Sequence, residues 1–238
     1  MTYPPAYPHD PIEVIASDLF MVRGSVRMNP LMRITRNMAI VRHGGELSLV
    51  NPIRLDEATE RELRALGDVE RIVRLGPLHG LDDRYYVDHF GAELWAQGES
   101  RTYPEPEIAE KLAADRPLPF PDAELFVFAG ANQPESALLL RRNPGILLTC
   151  DAIQHYGDYR HNTLLARLIM PLIGFPKTTV VGPIWLKLMT PEGGSLKSEF
   201  ERLLTLDFDR LLSAHGSLLE SGAKDSVAAA VRRAFPDP

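Results

Sequence analysis

The chain has 238 residues, 45% of them hydrophobic and 24% charged, ordinary values for a soluble globular protein with room for one large or two small domains. A formal net charge of −6 gives no general electrostatic reason to expect nucleic acid or an anionic membrane as a partner. A single cysteine, Cys150, excludes an internal disulfide framework and any multi-cysteine zinc site, and suits a reducing, cytoplasmic location.

The opening "MTYPPAYPHDP" is proline-rich and lacks the basic start and apolar run of a secretory signal. Residues 1–18 read as an extended arm that packs on the domain or a partner, or stays loose. "LFMVRGSVR" and "RITRNMAIVRHGGELSLVNP" then read as two or three β-branched strands, with "HGG" at 43–45 as a hairpin turn. "RLDEATERELRALG" predicts a helix with Leu55, Ala58, Leu63 and Leu66 roughly on one face and Gly67 at its stop. "VERIVRLG" predicts a strand, residues 82–90 a helix capped by Asp82, and "AELWA" a short strand of the same sheet.

A proline-rich connector around "PEPEIAEKLAADRPLPFPD" leads to three more strands, "AELFVFAG", "SALLLRRN" and "GILLTCD". Residues 154–194 are the least regular part and carry the apolar stretch "LLARLIMPLIGF", too short for a bilayer span of about 20 apolar residues. This segment reads as an apolar wall or lid over a site, as a homodimer contact, or as a plain packing helix. The tail predicts a helix in "SLKSEFERLLTL", a strand in "DRLLSAHG" and a helix in "AKDSVAAAVRRAF". With no obvious linker, residues 1–238 are expected to form one domain: two sheets packed face to face with helices outside.

Three of these strands run into residues that can hold a metal: "VERIVRLG" into His79 and Asp83, "GILLTCD" into Asp151, and "DRLLSAHG" into His215. Loops at strand ends are where sites usually sit. At these residues the chain resembles the metallo-β-lactamase superfamily, over most of its length. "MAIVRHGGELSLVNPIRLDEATERELRALGDVERIVRLGPLHG" resembles that family's opening, "PESALLLRRNPGILLTCDAI" the region ending in its bridging aspartate, and "FDRLLSAHGSLLESGAKDSV" its last ligand histidine and following helix. The resemblance implies an α+β fold, an αββα sandwich of two mixed sheets with helices on the outer faces.

Against the family's His-x-His-x-Asp-His motif this chain has His79-Gly80-Leu81-Asp82-Asp83-Arg84, so two of the histidines are replaced. The family's middle histidine falls near Asn132. What the resemblance leaves is a single metal position formed by Asp83, Asp151 and His215 with His79 beside it, and His155 as a further ligand candidate. Zinc is the first expectation for that metal, with iron or manganese also suited to the oxygen-rich set. Asp82 or His79 would serve as general base or orient water, and Asn132, Tyr156 and Trp185 would line the cleft for a small-molecule substrate.

Three readings follow. The first is a mononuclear metal-dependent hydrolase of an ester, lactone, amide or phosphodiester. The second is a metal-free, inactive descendant that binds a ligand or protein, with Arg84 salt-bridged to Asp83 and Asp151. The third is a structural oligomer assembled through the arm and the apolar segment. Asp82 reads better as a helix cap than as a site residue, while His9, His43, His89 and His161 read as surface or core polar residues.

Overall fold

Alternation along two long strands sets the architecture of the computed structural model, which describes residues 2–142 and 144–236. Strand β2 (Leu19–Asn29) pairs antiparallel with β3 (Met32–His43). Successive side chains of a strand point to opposite faces. Leu19, Met21, Ala39 and Val41 therefore face one core, and Phe20, Val22, Met38 and Ile40 face another.

The first sheet runs in chain order: β1 (Glu13–Ala16), β2, β3, β4 (Glu46–Val50), β5 (Asp68–Arg74), β6 (Glu93–Ala96) and β7 (Glu110–Lys111). From β4 to β7 the strands are parallel, linked by crossovers that carry α1 (Glu57–Leu66) and α2 (Asp83–Phe90). The second sheet has the order β13 (Arg210–Ser213), β10 (Ile146–Thr149), β9 (Ser136–Leu140), β8 (Ala123–Val127). Its β10 and β13 are parallel neighbours in direct register. A two-stranded ribbon, β11 (Ile153–His155) with β12 (Thr179–Val181), adds to the expected pair of mixed sheets, and helix α3 (Leu164–Ile169) lies between its strands in sequence.

Leu138, Leu140, Ile146, Leu148 and Leu212 face the first sheet and close the central core. The opposite face of the second sheet, with Leu139, Leu147 and Leu211, packs against α4 (Pro183–Met189), α5 (Lys197–Leu203) and α6 (Ala223–Ala234) through Trp185, Phe200 and Val227. Helices α1 and α2 cover the outer face of the first sheet with Leu63, Tyr85 and Tyr86. The expected αββα sandwich is what the chain forms.

Two local expectations change. In α1, capped by Asp56 whose carboxylate accepts from the Thr59 N–H at 2.8 Å, Ala58 is exposed and Thr59 buried. Leu55 packs into the core just ahead of the helix, so the buried stripe is rotated from the predicted one. At α2, Asp82 makes no side-chain capping bond, because its carboxylate turns toward Arg36 at 3.7 Å. The N-terminal arm packs on the first sheet. Ser25 donates to the Pro8 carbonyl at 2.8 Å, the Asp56 N–H donates to His9 Nε2 at 3.0 Å, and β1 pairs with β2.

Candidate metal centre

Three strand ends meet at one edge of the sandwich. Thr149 of β10 and Ser213 of β13 are partners in the parallel ladder, so Asp151 and His215, each two residues further on, emerge side by side. His79 comes from the other sheet, in the loop that follows β5. Two buried asparagines tie these ends together. Asn51 accepts from the Leu75 N–H at 3.2 Å and donates to the Thr149 carbonyl at 3.2 Å. Asn37 donates to the Ser213 carbonyl at 2.8 Å, and its own N–H donates to the Ala214 carbonyl at 2.8 Å. Gly216, with φ of +83°, lets the chain turn straight after His215 where a β-carbon would strike the His155 carbonyl.

The donors converge. His79 Nε2 lies 3.1 Å from His215 Nε2 and 3.3 Å from Asp151 Oδ1, and His215 Nε2 lies 3.2 Å from that same oxygen. Metal bonds of about 2.0–2.1 Å in tetrahedral geometry separate ligand atoms by about 3.3 Å, so the three atoms already form one face of such a polyhedron. His215 Nδ1 donates to the Thr35 carbonyl at 2.7 Å, which leaves the Nε2 lone pair directed at the centre. Gln154 donates to Asp151 Oδ1 at 3.3 Å and to the Asp151 carbonyl at 3.1 Å; its own oxygen accepts from Tyr156 Oη at 2.6 Å. The carboxylate is thus held through a chain of oriented amide and hydroxyl groups.

Burial lowers His79 to about 4, against an opposing pull from Asp151, so its imidazole is neutral at neutral pH. Asp151 is held well below the usual carboxylate range: burial works the other way, and the two imidazoles outweigh it. A neutral imidazole and an ionised carboxylate are the protonation states a metal needs.

Of the residues singled out in the sequence, His79, Asp151 and His215 come together and are buried. Asp83 does not join them. Its side chain is fully buried against Arg74, whose Nε donates to Oδ2 at 2.6 Å. Arg84 does not pair with Asp83 or Asp151. It lies on the outer side of α2, bonded to Asp88 at 2.9 Å and Glu105 at 3.4 Å. Neighbouring helix residues point about 100° apart, so the burial of Asp83 sends Arg84 to solvent.

His155 turns away from the centre and bonds Thr179 Oγ1 at 2.9 Å, because in β11 it alternates with Gln154, which faces Asp151. Asn132 is exposed and ties its loop to α4 through the Leu188 and Thr190 carbonyls at 3.2 and 3.1 Å. Asp82 faces Arg36. Tyr156 and Trp185 do line the cleft, Trp185 with its body in the core beside Phe128 and Phe200.

Three residues unmarked by the sequence reading complete the site. Glu135, fully buried, accepts the N–H groups of Asp151 and Ala152, both at 2.9 Å, and so fixes the turn that presents Asp151. Burial, and after it the Asp151 charge, push the Glu135 carboxyl well above its ordinary range. Arg36, buried on β3, reaches into the same cleft, and Arg74 neutralises Asp83 from the end of β5. Arginines in β-strands give no sequence signal beyond their alternation. Glu135 lies only three residues beyond the position marked as Asn132.

The triad opens into a cleft of about 490 Å³, walled by Ile34, Met170, Ile173, Phe175 and Ile184, with Arg36 and Tyr103 as its further polar members. No protein-family model and no curated protein matches the sequence. Solved structures do. The chain is similar to the DIM-1 metallo-β-lactamase exposed to ceftazidime at TM-score 0.67 and 11% identity, over 98% of this chain and 100% of that one. It is similar to the mono-zinc form of the FIM-1 metallo-β-lactamase from Pseudomonas aeruginosa at TM-score 0.64 and 12% identity, over 97% and 98%. A metallo-β-lactamase from Erythrobacter litoralis matches at TM-score 0.64 and 13% identity, over 92% and 89%. The chain has the metallo-β-lactamase fold, on a sequence only 11–13% identical to these structures.

The buried pair and the surface arginine make opposite predictions for stability. Arg74→Leu leaves the Asp83 carboxyl buried without its counter-ion and is expected to lower unfolding free energy by about 3–5 kcal/mol in urea titrations. Arg74→Leu with Asp83→Leu is expected to recover most of that loss. Arg84→Ala is expected to change stability by less than about 1 kcal/mol; a loss as large as that of Arg74→Leu would return Arg84 to the buried cluster.

Proposed function

We propose that the cleft is a mononuclear metal centre of hydrolytic type, held by His79, Asp151 and His215, that cleaves a small and partly apolar ester, lactone, amide or phosphodiester. The observation that carries this reading is the triangle of donor atoms, 3.1–3.3 Å on each side, with both imidazoles presenting Nε2. Three donor atoms at such separations, each with a lone pair to give, suit a single cation placed between them. Two imidazoles and one carboxylate suit zinc, and suit ferrous iron or manganese as well. The mono-zinc state of one structural neighbour agrees with a single ion on this fold.

A divalent ion bound there supplies Lewis-acid polarisation of a carbonyl or phosphoryl oxygen and makes water acidic enough to attack near neutral pH. The chain's own residues do the rest. Gln154 and Glu135 hold Asp151 in place from its side chain and its backbone. Arg36 lines the cleft and carries a fixed positive charge, which suits it to an anionic oxygen of the substrate. Asp82 stands 3.7 Å behind that guanidinium and orients it. The apolar wall excludes water and takes the non-reacting part of the substrate.

The metal-free reading with Arg84 as counter-charge loses its premise, since that arginine is on the surface and the partners of Asp151 are imidazoles.

Zinc, manganese or ferrous iron in saturating excess is expected to stabilise the protein by about 2–4 kcal/mol, a rise of about 5–10 °C in Tm. His215→Ala or Asp151→Ala is expected to abolish that rise and to lower metal-dependent hydrolysis of an aryl ester at least about 100-fold. Arg36→Lys is expected to raise KM for an anionic ester more than for its neutral analogue. A Tm indifferent to every metal, or an esterase rate unchanged in His215→Ala, would defeat the reading.

A further inference from the structure

The apolar side chains that stand in solvent are gathered on one face. Among the described residues, nine of the ten large hydrophobic side chains that are exposed come from the tip of the β2–β3 hairpin or from residues 164–188. Leu172 is 84% exposed, Leu164 77%, and Leu31 and Leu168 72% each, values unusual for leucine on a protein surface. The two regions touch: Thr163 Oγ1 donates to the Leu31 carbonyl at 3.2 Å, and the Thr163 N–H to the Arg33 carbonyl at 3.1 Å. Met28, Ile173 and Ile184 belong both to this face and to the wall of the cleft, so the cleft opens within it.

The charge of the chain is segregated in the same way. Residues 19–45 contain five arginines and no Asp or Glu, and residues 159–191 contain Arg160, Arg167, Lys177 and Lys187 and no Asp or Glu. The rest of the chain carries the other 17 basic residues against all 32 acidic ones. Four of these nine cations are paired, Arg23 with Asp158, Arg36 with Asp82, Arg42 with Asp18 and Arg160 with Asp10, so the unbalanced positive charge rests on the other five. Arg27, Arg33, Arg167, Lys177 and Lys187 have no carboxylate partner among the described residues, and all but the half-buried Arg33 are exposed.

We propose that this face docks on an anionic lipid surface, with the leucines dipping below the headgroups and the cleft opening toward the bilayer. This goes beyond the hydrolytic reading and does not rest on it. Three features select a lipid over the other occupants. The exposed set is aliphatic throughout, whereas protein interfaces favour Tyr, Trp and Arg anchors. A second copy would set cations against cations. Aliphatic tips ringed by basic residues are the composition of an interfacial membrane face, where both the apolar area and the positive charge contribute. No helix among the described residues is long and apolar enough to cross a membrane, so contact would be with one leaflet.

The test is co-sedimentation of the full chain with phosphatidylcholine vesicles, with and without about one-third phosphatidylglycerol, at low and high salt. Binding to the anionic vesicles is expected to exceed binding to the neutral ones by about tenfold or more and to weaken with salt. Leu168→Glu with Leu172→Glu, both in solvent, is expected to reduce binding about tenfold or more at an unchanged Tm. Arg167→Glu with Lys187→Glu is expected to remove the preference for anionic lipid. Equal binding to both vesicles, no binding to either, or binding unchanged in both double variants would overturn the proposal. So would a dimer in solution that Leu168→Glu with Leu172→Glu dissociates while vesicles recover no protein, because the face would then be covered by a second copy.

Discussion

Two buried asparagines hold the site together. Asn51 joins the end of β5 to the end of β10, and Asn37 joins β3 to the end of β13. Each sheet could keep its own ladder without them, but the relative position of the two sheets at this edge would then rest on apolar packing, which has no direction. The Asn51 amide bonds a backbone N–H in one sheet and a carbonyl in the other, and so gives that position a direction. His79, from the first sheet, thereby meets Asp151 and His215, from the second. The register of β10 against β13 does the remaining work, setting Asp151 and His215 at one level.

The buried carboxyl groups around this edge are settled one by one. Asp83 has Arg74, Asp82 has Arg36, and Glu135 has two backbone N–H groups. Asp151 alone is matched to groups that carry lone pairs. An arginine balances a carboxylate's charge but offers a metal no lone pair; an imidazole can share a cation with it. That difference separates the structural carboxylates from the one that belongs to the centre. Positioning also runs outward: Tyr156 holds Gln154, which holds Asp151, and the ribbon that carries them leads into the apolar segment forming the outer wall of the cleft.

Much of the fold was legible in the sequence because the two cores impose strict alternation on β2, β3, β9 and β10, and the glycines at 44, 45 and 67 mark the breaks. The three ligand candidates were legible for a related reason: each is the first polar residue with metal-binding chemistry beyond an apolar strand. The partners were not. "LDDR" places Arg84 next to Asp83, yet a helix turns that neighbour to solvent, while the true counter-ion, Arg74, lies nine residues back at the end of a strand. His155 follows Asp151 by only four residues, yet strand alternation gives the inward position to Gln154. Net charge hid the contrast between faces, because a sum carries no information on where charges lie.

The central claim is that His79, Asp151 and His215 share one metal ion, and metal content per chain is the measurement that meets it most directly. Protein purified without added metal or an affinity tag, and again after reconstitution and desalting, would be assayed by elemental analysis beside His79→Ala and Asp151→Ala. The account predicts close to one equivalent of a single divalent metal in the parent chain after reconstitution, and almost none in either variant. A parent chain that retains no metal after reconstitution, or variants that retain as much as the parent, would contradict it.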